Sequence, residues 1–96
     1  NVTIELNSEA VPLLHGAREY ARAGAIPGGL KNNREFAAPA VEGTADLDGL
    51  LYDPQTSGGL LVALPEPDAR EALGRMEGAH LVGRVTEPGE KRIRLL

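Results

Sequence analysis

The sequence predicts an α+β domain: a mixed, mainly antiparallel β-sheet with helices packed on it, partly ferredoxin-like. Three observations predict it. The second half reads strand–helix–strand–strand, with apolar runs at 60–64, 79–86 and 92–96 around one amphipathic stretch. The first half reads strand–helix, followed by a connection without clear period. The 12 glycines and 7 prolines fall between apolar segments, where they mark chain reversals rather than disorder.

Ninety-six residues support one domain, 1–96, with a single modest core. With one Phe, two Tyr and no Trp, that core falls to Leu, Val, Ile and Ala. A formal net charge of −4 argues against nonspecific nucleic-acid binding, which needs clustered Lys and Arg. Lys91, Arg92 and Arg94 are read instead as the solvated side of a strand that turns Ile93 and Leu95 inward. The absence of cysteine excludes disulfides and thiolate metal sites. No apolar run approaches the ~20 residues that cross a bilayer, and no signal peptide is visible. The expected location is cytoplasmic, with no membrane partner. A start at Asn1, directly on a strand-like run, suggests a piece of a longer protein.

In order, Val2, Ile4 and Leu6 alternate as one face of a half-buried strand. Residues 7–11 are a turn or an irregular helical start. Pro12 suits a first helical position, Leu13, Ala17, Tyr20 and Ala21 form a stripe, and Gly24 is a stop, predicting a helix over 12–23. Residues 25–29 form a loop, 32–38 add a turn or two of helix before Pro39, and 40–48 are an exposed connection. Residues 49–52 are ambiguous between strand and helical turn. The uninterrupted run 60–64 predicts a central strand buried on both faces. Pro67, flanked by Glu66 and Asp68, starts a helix whose inner face is Ala69, Ala72, Leu73 and Met76 and which Gly78 stops. Strands over 79–86 and 92–96 flank a turn at 87–90.

Catalytic constellations are scarce. His15 and His80 share no ligand spacing and are read as surface or capping residues. Asp46 and Asp48 can share a Mg²⁺ beside phosphates, but nothing local shapes a metal site, so a solvated loop is the favoured reading. Ser57 has no histidine partner and no nucleophile elbow. Neither glycine pair is a phosphate loop: Lys31 follows Gly28 and Gly29 too soon. Two polar stretches remain, Gly28 and Gly29 with Asn33, and Asp53, Pro54, Gln55, Thr56, Ser57, Gly58 and Gly59. In the second, Pro54 fixes φ, Thr56 and Ser57 can turn their hydroxyls onto the backbone, and Gly58 and Gly59 allow positive φ or close approach. The stretches either form a polar wall facing a nucleotide or anion, or shape two turns that satisfy each other.

The run Asp53, Pro54, Gln55, Thr56, Ser57, Gly58, Gly59, Leu60, Leu61 resembles the signature of the C-terminal domain of selenophosphate synthetase (selenide, water dikinase). Pro27, Gly28, Gly29 and the asparagine four residues on, Asn33, resemble a second segment of that family. The resemblance extends over essentially the whole chain. It implies the α/β/α C-terminal domain of the aminoimidazole ribonucleotide synthetase-related superfamily. It also implies a parent enzyme that converts ATP, selenide and water to selenophosphate, AMP and phosphate with Mg²⁺. In that family the reactive Cys or selenocysteine, its Lys and the metal-binding Asp residues lie in the N-terminal domain and have no counterpart here. The resemblance therefore implies that this domain closes the cleft over its own N-terminal domain within a homodimer, that Gly28, Gly29, Asn33, Asp53, Gln55, Thr56, Ser57, Gly58 and Gly59 line the cleft, and that this chain alone is inactive and carries no cofactor. Sister ATP-using enzymes (purine-pathway synthetases, thiamine-monophosphate kinase, a hydrogenase maturation factor) share the fold but are not expected to carry the seven-residue loop. A non-enzymatic regulatory module that binds a small ligand accounts for the fold pattern but not for the loop.

Overall fold

The computed structural model describes residues 1–45 and 48–96. The first strand, β1, spans Thr3–Leu6 and is followed by a single 3₁₀ turn, Ser8–Ala10. Two helices come next, α1 (Ala17–Arg22) and α2 (Gly29–Ala37), the second running into a 3₁₀ turn at Ala38–Ala40. A two-residue strand, β2 (Val41–Glu42), and a short helix, α3 (Asp48–Leu51), complete the first half. The second half holds α4 (Glu66–Arg75), β3 (Gly83–Thr86) and β4 (Ile93–Leu95).

The strands form one four-stranded sheet in the order β2-β4-β1-β3. β1 pairs antiparallel with β3 and parallel with β4, and β2 pairs parallel with β4. The α+β class holds, and the sheet is mixed. The expected antiparallel majority does not hold, because two of the three pairings are parallel.

Register sorts the side chains into two faces. Val41, Ile93, Ile4 and Val85 align across the four strands as one apolar row. The alternate positions align Glu42, Arg94, Glu5 and Arg84, a row whose charge alternates in sign from edge to edge. Arg84 Nε donates to Glu5 Oε2 at 2.5 Å and Arg94 Nη1 to Glu5 Oε1 at 3.0 Å, while Arg94 Nε donates to Glu42. Opposite charges on directly facing residues stabilise a ladder, so this row helps set register. The paired guanidiniums hold the Glu5 carboxyl below its ordinary value, the Arg84 hydrogen bond being the largest cause and outweighing the effect of burial.

Burial on the charged face is confined to β1, since Arg84 is exposed, while Leu95 is buried on the opposite face. Thr3 is 1% exposed and Glu5 7%, whereas Ile4 and Leu6 are only half-buried and Val2 is exposed. Thr3 earns that position through its hydroxyl: Oγ1 donates to the Lys91 carbonyl at 2.7 Å and accepts from the Gly89 N–H at 2.7 Å. One side chain thus ties the 87–92 turn to the centre of the sheet. At the other end of β1, both the N–H and the hydroxyl of Ser8 donate to the Leu96 carbonyl, at 3.1 and 2.8 Å. Among the described residues the buried apolar side chains are Leu30 on α2 and Leu95 on β4.

Five elements differ from the sequence-based expectation, among them the strand expected over 79–86, which spans only Gly83–Thr86. The first helix begins at Ala17 rather than Pro12, because Gly16 sits at φ 83° and breaks helical geometry just before it. α2 starts at Gly29, a turn earlier than expected, and β2 lies in the stretch read as a featureless connection. The largest difference is 60–64, which is not a strand: Leu60 is 94% exposed, Leu61 68%, Val62 64% and Leu64 47%. The central position that its composition called for is occupied by β1, which has a strand on each side. The helix after it forms as expected, but none of its residues is buried; Leu73 and Met76 face solvent. The accessible surface is 7478 Å², against about 5,300 Å² for a compact monomer of this size.

Candidate functional site

The two polar stretches meet, and they meet through backbone and ring contacts that the sequence alone does not specify. The Asn33 side-chain amide, on α2, donates to the Tyr52 carbonyl at 3.0 Å. The Arg34 guanidinium lies over the Tyr52 ring, 5.5 Å from its centroid. A Cβ built on Gly29 falls 3.2–3.3 Å from the Pro54 ring, so the glycine allows α2 and the 53–59 loop to pack closely. α2 is therefore the platform, and Tyr52 with Pro54 is the clamp.

Past the clamp the chain turns tightly. The Asp53 N–H donates to the Leu50 carbonyl at 3.2 Å, closing α3, and the Gln55 N–H donates to the Asp53 carbonyl at 2.9 Å across Pro54. An i→i+2 bond around a proline is an inverse γ-turn pattern. It projects Gln55, Thr56 and Ser57 outward, and all three are exposed while Asp53 is half-buried. The expected return of the Thr56 and Ser57 hydroxyls onto the backbone does not occur: among the described residues neither has a protein partner. Nor do Gly58 and Gly59 adopt positive φ, which belongs to Gly16, Gly24, Gly43 and Gly78. An added Cβ at Gly58 meets the Gln55 side-chain oxygen at 2.8 Å, and one at Gly59 or Gly28 meets open space.

The site residues thus divide. Asn33 and Gly29 serve the packing of the two stretches, while Gln55, Thr56 and Ser57 present unengaged polar groups at the rim. Tyr52 and Arg34 are the residues the sequence reading passed over, although each is the immediate neighbour of a residue it singled out. His15 and His80 are exposed, and among the described residues no three His, Asp or Glu side chains gather as a metal site. Asp46 lies outside the described residues, so the idea of a carboxylate pair with Asp48 has no geometry here. No helix among the described residues is long and apolar enough to cross a membrane.

The geometry is that of an α+β domain in which two polar stretches are packed together through Asn33, Gly29, Tyr52 and Pro54. Sequence comparison then supplies the relatives. Over 99 residues the chain is 42% identical to the selenide, water dikinase of Clostridium botulinum (strain Eklund 17B / Type B), covering 95% of this chain and 29% of that protein. The selenide, water dikinase of Caldanaerobacter subterraneus subsp. tengcongensis is 42% identical over 97 residues, with 93% of this chain and 28% of that protein covered. For that of Clostridioides difficile (strain 630) the identity is 38% over 104 residues, with 99% and 30% covered. No protein-family model matches the chain. Nearly the whole chain is thus a sequence relative of the selenide, water dikinases, as the two motifs led us to expect, and it spans about three tenths of the length of these curated relatives.

Proposed function

We propose that the chain is the C-terminal domain of a selenophosphate synthetase and forms one wall of its active-site cleft. The observation that carries this reading is the 53–59 loop: it is clamped to α2 by Asn33 and Pro54 yet leaves the Thr56 and Ser57 hydroxyls without protein partners. Hydroxyls, the Gln55 amide and free backbone N–H groups are donors suited to phosphate or ribose oxygens. They are a poor set for Mg²⁺, which takes carboxylates and water. ATP and Mg²⁺ therefore belong mainly to the remainder of the parent enzyme, which converts ATP, selenide and water to selenophosphate, AMP and phosphate. Phosphoryl transfer rests on positioning and charge around the phosphates, and the role of this domain is to position and to exclude water by closing.

The surface supports a domain that packs against more protein. Its excess over a compact monomer, about 2,200 Å², is on the scale of an obligate interface. Leu14 at 87% and Phe36 at 90% exposure join the 60–64 run as apolar residues without cover. The partner we propose is the N-terminal domain of the same chain, within a cytoplasmic homodimer.

Steady-state kinetics of the full-length parent test the reading. Thr56→Val with Ser57→Ala is expected to lower kcat/KM for ATP about 10- to 100-fold, the loss of one or two hydrogen bonds to a charged group. Gly58→Ala with Gly59→Ala is expected to lower selenophosphate formation through the loop's shape. Unchanged kinetics in both variants would mean that the loop merely turns the chain. The isolated chain is expected to show no ATP turnover; turnover would contradict the division of labour.

A further inference from the structure

We infer that Arg34 positions the 53–59 loop: its guanidinium, laid along α3 and over the Tyr52 ring, sets the angle at which Thr56 and Ser57 face the cleft. The inference rests on the reading of that loop as a cleft wall and adds the residue that holds the wall in place. The loop hangs from α3, a helix of four residues, Asp48–Leu51. One turn of helix is unstable by itself, because nucleation fixes several residues for a single hydrogen bond. Its direction therefore comes from outside, from α1, which packs on it, and from Arg34 on α2. The guanidinium carbon lies 5.5 Å from the Tyr52 ring centroid, inside the ~6 Å reach of a cation–π contact. Nη2 of the same group comes within 3.9 Å of the point where a Cβ on Gly49 would stand. One planar side chain thus spans α3 from its second residue to the residue just past its end.

Two neighbours on α2 hold Tyr52 from two directions. Asn33 and Arg34 project about 100° apart around the helix axis. The Asn33 amide donates to the Tyr52 carbonyl at 3.0 Å, and Arg34 covers the ring. A hydrogen bond to one carbonyl leaves the peptide free to swivel about it; the second contact, at the ring, removes that freedom. Leu30, one turn before Arg34 on the same side of α2, is buried and keeps that side turned inward.

Past Tyr52 little can rotate. Pro54 has a fixed φ, and the Asp53 and Gln55 N–H groups are bonded to the Leu50 and Asp53 carbonyls at 3.2 and 2.9 Å. A turn of the Tyr52 ring therefore carries Thr56 and Ser57 with it. A guanidinium suits the task, since it is planar and stacks on a ring, whereas an ammonium is a compact point charge. Arg34 acts on the rim through Tyr52 and is a positioning residue.

Kinetics and hydrogen exchange of the full-length parent test the inference. Arg34→Met and Tyr52→Leu are each expected to lower kcat/KM for ATP about two- to fivefold, the scale of one exposed cation–π contact. Tyr52→Phe keeps the ring and is expected to keep the activity. In the Thr56→Val, Ser57→Ala background, Arg34→Met is expected to cause no further loss, because the hydroxyls it positions are gone. The Asp53 and Gln55 amides are expected to exchange about two- to fivefold faster in Arg34→Met and unchanged in Tyr52→Phe. Unchanged exchange in Arg34→Met, a full additional loss in the hydroxyl-free background, or a Tyr52→Phe loss equal to that of Tyr52→Leu would each overturn the inference. Faster exchange in Arg34→Met, with kinetics untouched by Thr56→Val, Ser57→Ala, would uphold the hold of Arg34 on the loop and overturn the cleft reading alone.

Discussion

Thr3 and Gly29 show how much a single side chain, or its absence, decides here. Thr3 Oγ1 both accepts and donates within 2.7 Å while 1% exposed, so it cannot be exchanged for an isosteric apolar group without stranding the Gly89 N–H and the Lys91 carbonyl. Thr3→Val is expected to cost about 1–3 kcal/mol, visible in thermal unfolding as a drop of about 4–8 °C per kcal/mol. Gly29 and Gly28 are neighbours with opposite expectations. Gly29→Ala drives a methyl against the Pro54 ring, and Gly28→Ala meets nothing. The first is expected to loosen the loop and lower stability. The second, at φ −59°, is expected to be neutral or stabilising by under about 1 kcal/mol. Pro54→Ala in the Gly29→Ala background should recover the loss; a loss that persists would mean that the ring contact is not its cause.

Among the elements, the cross-strand charge row gives the clearest pH dependence. The folded Glu5 carboxyl lies below its ordinary value of 4.5, with the Arg84 hydrogen bond as the leading cause. A depressed folded value means that the unfolded chain takes up the proton first. The contribution of Glu5 to stability is therefore complete above the unfolded value and is lost as pH falls below about 4.5 through the folded value. Denaturant midpoints measured between pH 6 and 3 should fall for the unaltered chain and fall less steeply for Glu5→Gln; parallel curves would remove Glu5 as a source of acid lability. The exposed pairs of α4, Arg70 with Glu66 and Arg75 with Glu71, are one-helix i,i+4 contacts worth about 0.3–0.5 kcal/mol each. They stabilise the helix and say nothing about where it docks.

For the whole molecule, an accessible surface well above that of a compact monomer and a run of exposed leucines are two sides of one fact: the four-strand sheet leaves much apolar surface uncovered. In the full-length parent, Leu60→Ser with Leu61→Ser is expected to weaken assembly and lower activity, measured by thermal shift and turnover. In the isolated chain the same pair is expected to reduce self-association, measured by sedimentation. An increase in association would show that these leucines are satisfied within the chain.

The α+β class, the strand at β1, the helix after Pro65 and the family were legible in the residues themselves, because alternation, proline and glycine act locally and the Asp53-to-Leu61 run is contiguous. The sequence also marked the two polar stretches that the structure brings into contact. It did not show that the Asn33 amide donates to the Tyr52 carbonyl, that the Thr56 and Ser57 hydroxyls have no partner among the described residues, or that Gly16 rather than Pro12 sets the start of α1. Nor did it show parallel pairing of β4 with β1, which places an apparently secondary strand at the centre and leaves 60–64 outside. Each of these depends on which segment, distant in sequence, arrives as a neighbour. Local preference determines what an element is; only competition for the same edges and donors decides where it goes.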